Sequence, residues 1–376
     1  MDGPTRSLSA AERLDWLRLI RSENVGPITF YRLIERFGTA SAALKALPDL
    51  ARRGGRRKPM TVCSLAAAER EMEAQEAIGA ILVAQVEPGY PPNLVHIEDA
   101  PPLIGVVGQS HLLARPTIAV VGARNASLNG RRFAERLAAD LGKGGFVVVS
   151  GLARGIDAGA HTGALETGTV AVVAGGIDVV YPKENERLHG EIAERGVILS
   201  EIEPGPTPQA RHFPRRNRLI SGMALGVVVV EASLRSGSLI TARLALEQGR
   251  EVFAVPGSPL DPRARGTNDL LRQGATMTES ADDVLSALGG ALGMPLGERK
   301  TPGILGVRAD LPDHGEIDSA RAAIMENLSP TPVMVDEIIR SGHFSPAVVF
   351  MVLLELELAG RLERLPGNRV ALIKEV

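Results

Sequence analysis

Cysteine is almost missing: Cys63 is the only one in 376 residues, which excludes an internal disulfide and a cysteine-built metal site. Aromatic residues make up 3% of the chain, with one Trp and three Tyr, too few for a long base-stacking platform. No apolar run reaches the ~20 residues of a spanning helix, and the opening MDGPTRSLSAAERLDW has no apolar signal core. A cytoplasmic protein without a membrane partner is expected. The seven histidines are scattered with no H-E-x-x-H or similar spacing, so no metal is expected. Neither G-x-G-x-x-G nor G-x-x-x-x-G-K-[ST] occurs, which removes the dinucleotide and ATP fingerprints and leaves no cofactor to expect. A large charge of one sign is also absent, the formal net charge being −2, so any polyanion must be argued from local distribution.

What is present divides into four stretches. Residues 1–85 read as short amphipathic helices. Ser9 or Ser7 is a possible cap for the first, and a Gly-Pro turn in ENVGPITF separates two others, similar to SAM or helix-hairpin-helix modules. Such a hairpin can hold a phosphate on backbone N–H groups, although a small packing domain explains it as well. Residues 86–288 alternate apolar β-branched runs with helical stretches: TIAVVG, FVVVSG, TVAVVAGG, GVILSE, LGVVVVEA and EVFAVPG. Runs apolar on both faces and separated by helices indicate a parallel sheet covered on both sides, an α/β, Rossmann-like doubly wound fold. Residues 289–316 are rich in Gly and Pro without periodicity and read as a linker. Residues 317–376 give three helices and two short strands around PGN, a winged-helix pattern.

In open parallel sheets, ligands sit where strands end and helices begin. Those ends carry Gly122, Arg124 and Ser127, then Gly151, Arg154, Asp157 and His161, then Tyr181, Lys183 and Asn185. RHFPRRNRLISG (211–222) and EASLRSGSLITA (231–242) follow. Between 204 and 273 there are ten arginines, no lysine and five acids. Guanidinium forks suit several phosphates at once, so this excess is the footprint of a polyanion. Any single arginine could equally cover a helix stem or pair with a nearby acid. Asp157 and His161, one helical turn apart, could do general-base work, but a helix-start carboxylate beside a packing histidine is the simpler account. The serine turns lack a recognisable base and read as phosphate ligands rather than nucleophiles.

VVGARNAS, VVSGLARGIDAGAH, VAGGIDVVYPKEN, SEIEPG, FPRRNRLISG, VVVVEASLRSGSLITARLALEQGREVFAVPGS and GTNDLLRQGA, in that order, resemble the DNA-processing protein A (DprA/Smf) family over about 86–280. The resemblance implies an extended Rossmann fold that binds single-stranded DNA, forms a homodimer and helps load RecA recombinase in natural transformation; the missing nucleotide fingerprints add the expectation of no catalysis. It places the DNA pocket on Arg124, Ser127, Lys183, Phe213, Arg215, Arg216, Asn217 and Arg218, with Ser236, Gly237, Ser238 and Thr241 on the backbone-facing side; Gly122 and Arg154 join from the strand ends. Phe213 could stack on a base or pack in the core. The alternative is a nucleotide hydrolase of the lysine-decarboxylase-like (LOG) type, whose P-G-G-x-G-T-x-x-E motif corresponds here to EASLRSGSLITA, with no acid after the Ser-Gly-Ser turn. In the winged helix, the segment expected to enter a groove, 345–360, has no Lys or Arg and carries Glu355 and Glu357. Arg361, Arg364 and Arg369 supply only wing charges, so protein contact or regulation is expected there.

Overall fold

The computed structural model describes residues 6–293, 314–342, 344–365 and 367–373; most of the expected linker, 294–313, lies outside the described residues. The chain folds as two compact units. Ser9–Glu69 and Thr301–Val376 form one, and Arg70–Lys300 with the first eight residues forms the other.

The N-terminal helices are α1 (Ala10–Ile20), α2 (Pro27–Phe37) and α3 (Ala40–Arg53), and α4 (Leu65–Ala77) leads into the core unit. Ser9 caps α1 and forms a capping box with Glu12, while Gly26 and Pro27 start α2 at the Gly-Pro turn. Trp16 and Phe30 meet edge-on at 4.9 Å between α1 and α2.

The core unit is a nine-stranded sheet: β1 (Ile81–Ala84), β2 (Leu103–Gly108), β3 (Thr117–Val121), β4 (Val147–Ser150), β5 (Thr169–Val172), β6 (Val197–Ser200), β7 (Gly226–Val229), β8 (Glu251–Ala254) and β9 (Thr276–Met277). Their spatial order is β1-β2-β6-β5-β4-β3-β7-β8-β9. The six apolar runs named above are β3–β8, and all pair in parallel. β1 and β2 add an antiparallel edge beside β6, and β9 extends the other edge in parallel. β3–β7 are buried at every residue because helices cover both faces. On one face lie α5 (Leu128–Lys143), α6 (Ile156–Ala164), α7 (Glu186–Arg195) and α11 (Ala281–Gly293); on the other lie α8 (His212–Met223), α9 (Gly237–Glu247) and α10 (Arg265–Arg272). Helix α11 runs through Gly293, so the start of the expected linker is helical.

The C-terminal winged helix consists of α12 (His314–Asn327), β10 (Val333–Met334), α13 (Val335–Gly342), α14 (Pro346–Leu358), β11 (Leu362–Leu365) and β12 (Arg369–Leu372), with one more short strand than expected. Its helix α14 packs on α12 and, within the same unit, on the N-terminal α3. Gly54, at the end of α3, lies so close to α14 that a Cβ there would sit 1.9 Å from the Glu355 carbonyl oxygen. Asn24 donates to the Leu358 carbonyl at 3.2 Å, and the Arg32 guanidinium lies 4.5 Å from the Phe350 ring centre. Glu355 is fully buried and ion-paired with Arg321, while Glu357 accepts from Arg364 at 3.0 Å. The helix expected to be apolar and acid-bearing is therefore engaged inside its own chain.

Candidate nucleic-acid interface

The chain leaves β3 for β4 on one side, and β7 lies on the other, so the crevice of the sheet opens at the carboxyl ends of β3 and β7. Gly122–Arg124 follow β3, the Ser233–Ser238 turn follows β7, and α8, the crossover between β6 and β7, runs beside them. Three hollows meet here, and Arg124 borders all of them. One, of about 710 Å³, lies between the β3 turn, α8 and the start of α9, where Gly122, Asn217, Ser236, Gly237, Ser238 and Thr241 come together. A narrower one runs over Gly151 and Gly175 towards Tyr181.

At the junction, the exposed Arg124 guanidinium lies 4.7 Å from the centre of the Phe213 ring, and the Tyr181 ring centre lies 5.8 Å from the same ring. Phe213 is half-buried, with its ring lining two of the hollows rather than sealed in the core. Arg154, Lys183 and Arg215 are exposed nearby in sequence and fold, and Arg154 pairs loosely with Glu184 at 3.4 Å.

Other members of the expected set are held by the protein itself. Arg216 is buried, donating to the Gly151 carbonyl at 2.6 Å and to that of Val172; burial lowers its pKa to about 10, and its Nε has no hydrogen-bond partner. A Cβ on Gly151 would lie 2.1 Å from the same guanidinium, so any side chain there would displace Arg216 from its carbonyls. Arg218 is buried between Glu201 at 2.6 Å and Asp99 at 3.2 Å; burial would lower its pKa, and the two carboxylates outweigh that and raise it. Ser127 caps α5 and gives both its N–H and its hydroxyl to the Glu231 carboxylate, at 2.9 and 2.6 Å. A carboxylate thus occupies the helix start where a Rossmann domain would seat a phosphate. Ser236 caps α9, and its hydroxyl lies 2.7 Å from that of Ser238.

Asp157 is buried and accepts from the N–H groups of Gly151 and Ala153 at 3.2 and 3.4 Å; burial raises its pKa. His161 is occupied by Leu152 N–H and the Thr169 hydroxyl, and burial pushes its pKa down to about 3. A histidine neutral over the whole working range and facing backbone orders the loop. The sequence reading placed Tyr181 at a strand end without a place in the DNA pocket and did not single out Glu231 or Arg263; Arg263 lines the hollow between the β3 turn and α8 and is paired with Asp261 at 2.8 Å. Among the described residues, no group of three or more His, Cys, Asp and Glu could hold a metal, and no helix is long and apolar enough to cross a membrane.

The sequence matches the model of the DNA recombination-mediator protein A family over residues 81–289, flanked by a DprA-like N-terminal HHH domain at 10–74 and a DprA winged helix domain at 309–368. Protein Smf of Escherichia coli is 39% identical over 287 residues, covering 75% of each chain. The X-ray structure of DNA processing protein A from Streptococcus pneumoniae superposes with a TM-score of 0.61 at 35% identity, over 76% of this chain and 98% of that one. A structure of DNA processing protein A from Helicobacter pylori, described for its single-stranded DNA binding mode, gives 0.51 at 30% identity, over 56% of this chain and 96% of that one. With the core and both flanking modules matched in order, the chain belongs to the DNA-processing protein A (DprA/Smf) family.

Proposed function

We propose that this chain binds single-stranded DNA at the β3/β7 crevice, without catalysis, and as a homodimer helps to load RecA recombinase onto the strand in DNA recombination and natural transformation. The observation that carries the reading is the Arg124–Phe213–Tyr181 cluster: a free guanidinium stacked on a half-buried ring at the mouth of the crevice. A base can lie against the aromatic pair while Arg124 meets the neighbouring phosphate. Exposed Arg154, Lys183 and Arg215 supply further phosphate contacts, and Arg216 and Arg218 hold the frame. The Helicobacter pylori relative, whose structure concerns single-stranded DNA binding, supports the choice of ligand. Loading of RecA, the homodimer and the absence of turnover rest on family membership.

The contacts fall on backbone phosphate and on ring faces, so binding is sequence-tolerant and prefers a strand whose bases are free. The deciding experiment titrates the full chain with single-stranded DNA, duplex of the same length and mononucleotides at several salt concentrations. Single strands should bind best, with an affinity that falls steeply with salt. Equal affinity for duplex, or indifference to salt, would refute the proposal.

A further inference from the structure

Helices α5 and α6 pack with unusually little between them. A Cβ on Gly159 would lie 2.8 Å from the Arg131 carbonyl oxygen, and one on Gly163 would lie 1.9 Å from that of Glu135. This close approach sets the first turns of the two helices side by side and leaves a hollow of about 840 Å³ above the seam. Arg124 and Arg154 stand on its border, shared with the crevice, and two further arginines, Arg131 and Arg132, extend it along α5. Both are exposed, and neither makes an ion pair among the described residues. The opposing charges are Glu135 and Glu184, the latter already paired with Arg154. No aromatic side chain lines the hollow. The two hollows on the other side of Arg124 contain Phe213 and offer a ring face for a base. This one offers cations alone.

We propose that the α5/α6 hollow is a phosphate-only extension of the strand path, in which Arg131 and Arg132 grip the sugar–phosphate backbone of the strand whose base lies at Phe213. The inference rests on the single-strand reading above and adds to it a second, base-blind segment. Arg124 is the joint: a backbone phosphate held there sits at the mouth of both segments. The next phosphates along the strand meet guanidinium forks on α5 with no partner that must first be displaced. A strand too short to leave the crevice gains nothing from α5, while a longer one gains affinity whatever its sequence.

The experiment compares oligothymidylates of about 5 and about 25 nucleotides, lengths that bracket common single-strand site sizes, on the full-length protein and on Arg131→Gln/Arg132→Gln. Arg136→Gln is the control: it lies on the same helix, is exposed, and does not line the hollow. The double variant should lose roughly ten- to thirty-fold in affinity for the long oligonucleotide near 0.1 M salt, and its log–log salt slope should flatten by about 1.4, the share of two phosphate contacts on a single strand. The short oligonucleotide should bind both proteins equally. Unchanged affinity and slope for the long strand, equal losses for both lengths, or an equal loss in Arg136→Gln would each overturn the extension while leaving the crevice intact. A wild-type protein that binds neither length would refute single-strand binding itself.

Discussion

Arg124 and Arg216, residues of one type in one crevice, have opposite fates. Arg216 is committed to two backbone carbonyls, whereas Arg124 is exposed and rests on a ring. Arg124→Ala should therefore weaken single-strand binding and flatten the salt slope by about 0.7 with no change in melting temperature, and Arg124→Lys should restore only part, because an ammonium neither forks onto phosphate nor stacks on Phe213. Anisotropy titrations across salt, with a thermal melt of each variant, check this. Local motifs identified the arginines but could not sort them, since the partners that hold Arg216 and Arg218 lie outside the motif that carries them. Arg218 meets Asp99 and Glu201, and Ser127 meets Glu231, 104 residues later. No local pattern encodes such pairs; the sheet order creates them. His161 yields a test with a definite sign. Its folded pKa is depressed to about 3 by burial, so below the unfolded value the unfolded chain takes up a proton that the native state refuses. Stability is then lost as pH falls from about 6.5 towards 3, by roughly 2 kcal/mol at pH 5. Asp157, with a raised pKa, acts in the opposite sense above about 3.8, and it does so in wild type and variant alike. Wild type should accordingly lose more stability between pH 7 and pH 5 than His161→Gln, measured by denaturant melts at both pH values.

At the scale of elements, the six parallel strands were legible because strands buried on both faces read as unbroken β-branched runs. β9 has two residues, and β1 has four with Ile81 exposed, so their composition carries little signal. The apolar character of α14 was legible too; its location against α3 was not, because nothing in either helix names the other. Gly54 tests that contact. Gly54→Val would drive a branched side chain into the Glu355 carbonyl, destabilising the unit built from Ser9–Glu69 and Thr301–Val376 by roughly 1–3 kcal/mol. Calorimetry should show that unit's transition shifted downward, with single-strand affinity unchanged. A variant that melts like wild type would mean that α3 and α14 do not touch in solution.

For the whole molecule, the winged helix is not an independent appendage. Cutting near residue 300 removes α14 and uncovers the α3 face that it shields, so the shortened chain should bind a hydrophobic dye and self-associate. Single-strand affinity should nevertheless stay within a few-fold of full length, because the crevice and the α5/α6 hollow lie wholly inside Arg70–Lys300. Light scattering, dye fluorescence and anisotropy on the same preparation separate the two effects. A large fall in affinity with the core still folded would make the winged helix a DNA reader.

The two-part unit also sets an order on synthesis. Helix α3 leaves the ribosome early, but α14, which covers it, is translated only after the entire Arg70–Lys300 segment. At ~5–20 residues per second, the nascent chain spends on the order of ten to sixty seconds with that face unmatched while the sheet between them is made. During that interval the α3 surface that α14 covers stays open, and it closes only once α14 has been made.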